Sequence, residues 1–152
     1  MTSIVHTGLT VRDLDRSLVF YRDVLGMELV FAQEKQGGYL AEIVGYPDAH
    51  VRMAHLSFPG DAHRIELFQY LAPEPVGAPA EPRAVGITHV CLLVDDLPAV
   101  YERLRAAGVR FMSPPVQVDT GANAGGQGVY LRDPDGAVVE LFQPPTTAEE
   151  DR

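Results

Sequence analysis

A chain of 152 residues, 46% of them apolar, is long enough to bury one sizeable core and too apolar to be disordered by composition. Its formal net charge of −9 argues against nucleic-acid binding, which rests on Lys and Arg contacts to phosphate. No apolar run reaches membrane-spanning length, the opening MTSIVHTGLT lacks the parts of a secretory signal, and the lone Cys91 rules out an internal disulfide, so a cytoplasmic setting is expected.

The first predicted element is a strand starting at His6, in HTGLTVRDL (6–14), with the alternation of a sheet that has one face on a core. DLDRSLVFYRDVLG (13–26) then places Leu14, Leu18, Tyr21 and Leu25 at helical spacing, with an Asp as N-cap and Gly26 at the end. Strand-like pieces follow, finishing in HRIELFQY (63–70). LAPEPVGAPAEPRAVG (71–86) is rich in Pro, Ala and Gly and reads as an extended connector.

The plan then repeats. HVCLLVDDL (89–97) matches HTGLTVRDL in its initial His and in its Val-x-Asp-Leu ending. DLPAVYERLRAAG (96–108) is the second helix, with Val100, Leu104 and Ala107 as its apolar stripe, Pro98 near the start and Gly108 at the stop. DTGANAGGQG (119–128) lacks the Lys-Ser/Thr ending of a phosphate loop and reads as a mobile flap or a long hairpin connection. DPDG (133–136) is a turn signal, AVVELFQP (137–144) is the closing strand, and the polar tail PPTTAEEDR is expected to fray. The pattern is βαβββ written twice, an α+β chain whose modules, 1–70 and 87–144, are joined by the linker 71–86 into a single domain over 1–152.

Strand parity places the polar residues. Ile65 and Leu67 point toward a helix, so Glu66 points the other way; Val139 and Leu141 set Glu140 apart in the same manner. Val5, Leu9 and Val11 have the parity opposite to His6, and Val90, Leu92 and Val94 the parity opposite to His89. Any one such residue on a strand is ordinarily solvated or hydrogen-bonded. A His on the first strand and a Glu on the last, at matching places of both halves, is a different matter. If the two sheets face each other, two imidazoles and two carboxylates converge as a divalent-metal site.

HTGLTVRDLDRSLVFYRDVLGMELV, THVCLLVDDL and DPDGAVVELFQ together resemble the vicinal oxygen chelate superfamily, which includes glyoxalase I, bleomycin-resistance proteins and extradiol dioxygenases. The resemblance implies a glyoxalase-like fold, in which paired βαβββ modules form a cupped mixed sheet around a metal, commonly in a homodimer. It is nearest to bacterial glyoxalase I and implies one divalent ion (Ni, Co, Zn, Mn or Fe) held by His6, Glu66, His89 and Glu140. Two open positions of an octahedral shell then take the adjacent oxygens of a small substrate. The ion stabilises the enediolate formed when an α-proton leaves. By the same resemblance Glu140 is the first choice of base and Glu66 the second, giving lyase or isomerase chemistry.

Three other readings stay open. An Fe(II) extradiol dioxygenase uses two His and one carboxylate, leaving open the position Glu66 fills. Methylmalonyl-CoA epimerases usually place Gln where Glu66 stands, and Glu42 is the nearest match to their second acid. A drug- or metabolite-binding resistance protein often lacks the ligand set that is present here. Bacterial glyoxalase I also carries Arg and Asn for the glutathione carboxylates where this chain has Thr10 and Tyr70, so a glutathione adduct is not the expected substrate. Arg64, Phe68, Phe142 and His55 are the candidate substrate-binding residues. Arg64, Phe68 and Phe142 share the ligand face. Arg52 is a further candidate anion anchor, and His55 is either a second acid or base in the pocket or a half-exposed strand His. His50 and His63 flank turns and are expected to be solvated, and Cys91 is a small filler near the metal.

Overall fold

The structure is a computed structural model and describes residues 3–77 and 81–146, which fall into two compact units, one in each range. The last six residues of the expected frayed tail lie outside the described residues. The fold is α+β with two mixed sheets, as the sequence pattern requires. No helix among the described residues is long and apolar enough to cross a membrane.

In the first unit, β1 (His6–Thr10) leads into α1 (Leu14–Leu18), which passes directly into a π-helical turn (Val19–Val24). The widening shows in the bond from Leu25 N–H to the Phe20 carbonyl at 2.9 Å. Asp13 caps the helix by accepting from Arg16 N–H, and Leu14, Tyr21 and Leu25 turn inward. Then come β2 (Glu28–Gln36), α2 (Gly38–Val44), β3 (His50–Ser57) and β4 (Arg64–Ala72), in the sheet order β1-β4-β3-β2. β1 runs parallel to β4 and the other pairs are antiparallel. Helix and sheet enclose a core of Val11, Leu14, Tyr21, Leu56, Ile65 and Leu67.

In the second unit, β5 (His89–Leu93) leads into α3 (Leu97–Ala106), capped by Asp96 through Ala99 N–H. β6 (Arg110–Phe111), β7 (Val116–Gln117), β8 (Gln127–Arg132) and β9 (Val138–Gln143) follow. Their order is β5-β9-β8-β6, with β7 also pairing β8. Leu97, Leu104, Val129, Leu131, Val139 and Leu141 are buried in this unit, where α3 lies against β9. Residues 73–77 and 81–86 form neither helix nor strand.

Several details depart from the sequence reading. α2 interrupts what was expected to be strand, so the first unit is βαβαββ. Gly45 closes it in the left-handed region at φ +77°, a conformation that suits glycine. Leu97 takes the buried helix position expected of Ala107, which lies exposed at the end of α3. Val5 precedes β1 and is exposed. The 119–128 stretch supplies the connection of the β7–β8 hairpin and the first two residues of β8, and the connection is closed by Val118 N–H to Gly126 O and Gly125 N–H to Val118 O, both 2.8 Å. A Cβ at Gly126 would lie 2.8 Å from the Gln143 carbonyl and 3.0 Å from the Phe142 ring, so only glycine lets the loop approach β9 this closely.

Candidate metal centre

The repeated ELFQ stretch has one physical explanation per residue. In both units the Leu is buried under the helix, and the Gln turns to the same side. Gln69 Oε1 accepts from Leu14 N–H at 3.0 Å, and Gln143 Oε1 accepts from Leu97 N–H at 2.8 Å. Each Gln thereby satisfies a backbone donor that the first turn of a helix leaves unpaired. The strand that carries a ligand candidate thus also fixes the start of the helix behind it. The backbone bonds from Val11 N–H to Phe68 O and from Val94 N–H to Phe142 O, each 3.0 Å, are equally matched.

The Glu of each stretch points to the opposite face. Glu66 Oε2 lies 3.4 Å from His6 Nε2, and Glu140 Oε2 lies 3.0 Å from His89 Nε2. Parallel pairing delivers this: β1 lies beside β4 with Gly8 opposite Glu66, and β5 lies beside β9 with Cys91 opposite Glu140. Among the described residues, no group of three or more His, Cys, Asp or Glu has the spacing of a metal cradle. The four expected ligands are therefore present as two His–Glu pairs, one in each unit.

The residues of each pair fit a divalent ion. Donors about 2.1 Å from one ion and at right angles lie about 3 Å apart, close to the His–Glu separations seen here. Imidazole and carboxylate together suit zinc, nickel, cobalt, manganese and iron.

The third strand of each sheet adds a side chain to its pair. His55 on β3 stands opposite Glu66, and its Nε2 is 3.0 Å from Glu66 Oε1. It is buried rather than half-exposed, stacked on Phe31 at 4.4 Å and edge-on to His6 at 5.2 Å. Its Nδ1 has no hydrogen-bond partner in the described structure. At the matching place on β8, Tyr130 stands opposite Glu140, with its hydroxyl 3.4 Å from His89 Nε2. Burial raises the Tyr130 pKa, and the charge of Glu140 adds to the rise. Tyr130 escaped the sequence reading, although its alternation with the apolar Val129 and Leu131 in VYLR carries the signal that would have placed it on the face opposite the core.

Other candidates divide by environment. Arg64 is the register partner of His6 and shares the parity of Glu66, and no carboxylate among the described residues pairs with it. Arg52 is on the helix side, where both its terminal nitrogens bond to Asp15 at 2.8 and 3.0 Å; this removes it as an anion anchor and holds Asp15 below its usual range. Phe68 packs with Leu40, Val51, Met53 and Tyr70 beneath α2, and Phe142 abuts Gly126 and Gly128. Glu42 is exposed on α2. His50 and His63, expected to be solvated, bond to Glu34 at 2.6 Å and to Thr7 at 2.9 Å. Cys91 is exposed on β5, and desolvation together with Glu140 pushes its thiol up to about 11, so it is protonated at neutral pH.

Comparison with known proteins bears on the same two units. The chain is 31% identical over 152 residues to 2-epi-5-epi-valiolone epimerase of an Actinomyces species, covering 96% of this chain and 81% of that one. It is 33% identical over 147 residues to lactoylglutathione lyase of Haemophilus influenzae, covering 95% and 94%. The crystal structure of a glyoxalase family protein from Bacillus cereus superposes with a TM-score of 0.83, covering 95% of both chains at 22% identity, which establishes the shared fold. The model of the glyoxalase/bleomycin resistance protein/dioxygenase superfamily matches residues 3–141, spanning both His–Glu pairs. A duplicated module, a fold found again in that crystal structure and a match across nearly the whole length agree, and the chain belongs to this superfamily.

Proposed function

We propose that the chain is a divalent-metal-dependent enzyme that transfers a proton on a small substrate with adjacent oxygens, a lyase or isomerase of the glyoxalase type. His6, Glu66, His89 and Glu140 hold one ion, the two units being supplied by one chain or by two copies in a homodimer. The observation that carries this reading is the occurrence of the same His–Glu pair in both units at equivalent register, with donor separations of 3.0 and 3.4 Å. When bound, the ion supplies Lewis acidity toward negative charge developing on the substrate oxygens.

The chain's own residues divide the remaining work. Glu66 is engaged at both oxygens, by His55 and by His6, and so is held in place. Glu140 faces one imidazole and the weak thiol donor of Cys91. A base must be free to turn toward the proton it takes, which favours Glu140. Arg64 anchors negative charge near His6, and Phe68 and Phe142 form apolar walls.

The test combines metal titration with hydrogen–deuterium exchange of an α-hydroxyketone, followed by proton NMR. Wild-type protein loaded with nickel or cobalt is expected to catalyse exchange. Glu140→Gln is expected to keep its circular dichroism spectrum and lose roughly 100-fold or more in rate, the usual contribution of a positioned base. Full exchange activity in that variant rejects the assigned base. A protein that takes up no metal rejects the centre and points to a binding protein.

One observation favours a second reading. Because His55 holds Glu66, that carboxylate can remain off the ion, leaving His6, His89 and Glu140 as a two-His, one-carboxylate set suited to an Fe(II) dioxygenase. Oxygen consumption with catechol by the iron-loaded protein is the discriminating measurement.

A further inference from the structure

Four residues along β1 and β4 from His6 and Glu66, on the same face of the sheet, Thr10 and Tyr70 border a cavity of about 300 Å³ within the first unit. Tyr46, just past α2, stands edge-on to Tyr70, with ring centroids 5.9 Å apart and planes at 87°. Pro73 and Pro75 complete the apolar walls, and Glu74 is the charged member of the lining. Among the described residues, no Lys, Arg or His lines the cavity. Arg12, two residues past Thr10, directs its guanidinium to the Gly77 carbonyl at 2.6 Å. Burial raises the Tyr70 pKa, and Tyr46 and Glu66 push it the same way.

We propose that this cavity is a specificity pocket for an uncharged or cationic ring bearing hydroxyl or ammonium donors, and that it rejects carboxylates. The proposal rests on the reading of His6 and Glu66 as part of the catalytic centre, since the pocket then takes the far end of the same substrate. At about 3.3 Å per strand residue the pocket lies about 13 Å from the ligand pair, a span suited to a substrate with a ring at one end and its reacting oxygens at the other. The two ends differ in charge. Arg64 pairs in register with His6, whereas Glu74 marks the tyrosine end. The tyrosine rings offer faces for a ring to stack on or for an ammonium group to approach. Glu74 and the hydroxyls of Thr10, Tyr46 and Tyr70 accept from its donors. A carboxylate entering here would meet Glu74, and none of the described lining residues carries a cation to offset the repulsion.

The experiment titrates the purified chain with 4-hydroxybenzylamine and with 4-hydroxybenzoate by calorimetry, without metal and after loading with nickel. In both states the wild-type protein is expected to bind the amine roughly fivefold more tightly, the size of effect an exposed carboxylate such as Glu74 gives. Glu74→Gln is expected to narrow the difference and Thr10→Arg to invert it, with circular dichroism unchanged in both. Equal affinity for the two probes in metal-free wild-type protein overturns the proposal. So does tighter benzoate binding, no binding of either at millimolar concentration, or a preference indifferent to both substitutions. Because the metal-free titration reports on the pocket alone, a failed pocket and a failed metal centre leave different signatures.

Discussion

Glu66 and Glu140 occupy matching positions in the two sheets, and the side chain opposite each is what separates them. His55 reaches across from β3 and takes one oxygen of Glu66, leaving the other directed at His6. Tyr130 at the same place on β8 sits by the histidine and leaves the glutamate alone. If Glu66 ligates the ion as proposed, a histidine so placed orients that carboxylate, and the loss of such a partner typically weakens metal affinity by about 10–100-fold. His55→Ala is therefore expected to weaken cobalt binding by that factor, read from the cobalt visible spectrum during titration. His55→Gln, whose amide can still donate to Glu66, is expected to recover much of the affinity. A purely structural role would lower melting temperature in the Ala variant while leaving cobalt affinity at the wild-type value. Should Glu66→Ala also bind cobalt normally, Glu66 is not a ligand and the dioxygenase reading gains.

The repeat is written most plainly at the level of elements. Asp13 and Asp96 cap the helices from their N-terminal side, and Gln69 and Gln143 reach the same helix starts from a strand distant in sequence. Replacing Gln143 by Ala strands the Leu97 N–H in a half-buried position, at a cost of about 1 kcal/mol, with a similar effect for Gln69→Ala. Leu104→Ala, in the core of α3, is expected to cost about 2–5 kcal/mol. Urea unfolding monitored by circular dichroism measures all three, and a Gln143→Ala variant as stable as wild type would show that water replaces the cap without loss. Alternation in RIELFQ and VVELFQ sufficed to put Glu66 and Glu140 opposite the buried leucines, because a period of two leaves no other option. α2 was less legible, since seven residues between glycines give too short an apolar pattern to separate from a strand. The cap role of Gln69 and the clamp by His55 depend on which strands become neighbours, and no local pattern contains that. The two-residue strands β6 and β7 are likewise set by pairing with β8 rather than by their own composition.

For the molecule as a whole, the division of the four ligand candidates between two units makes metal stoichiometry the decisive quantity. A single His–Glu pair offers two protein donors, fewer than the three or four by which proteins ordinarily hold a catalytic or structural divalent ion. If the pairs act together, nickel saturates at one equivalent per chain, and Glu66→Ala and Glu140→Ala each weaken that same site. Free nickel at 100 times its dissociation constant would then stabilise the fold by about 2.7 kcal/mol, and a chelator would reverse the gain in melting temperature. A net charge of −9 also gathers cations without specificity, so the titration belongs at physiological ionic strength, where the screening length is about 8 Å. Calorimetry showing two weak, independent equivalents, each abolished by only one of the two substitutions, would mean that the halves bind separately, and the single centre on which the proposed chemistry depends would be gone.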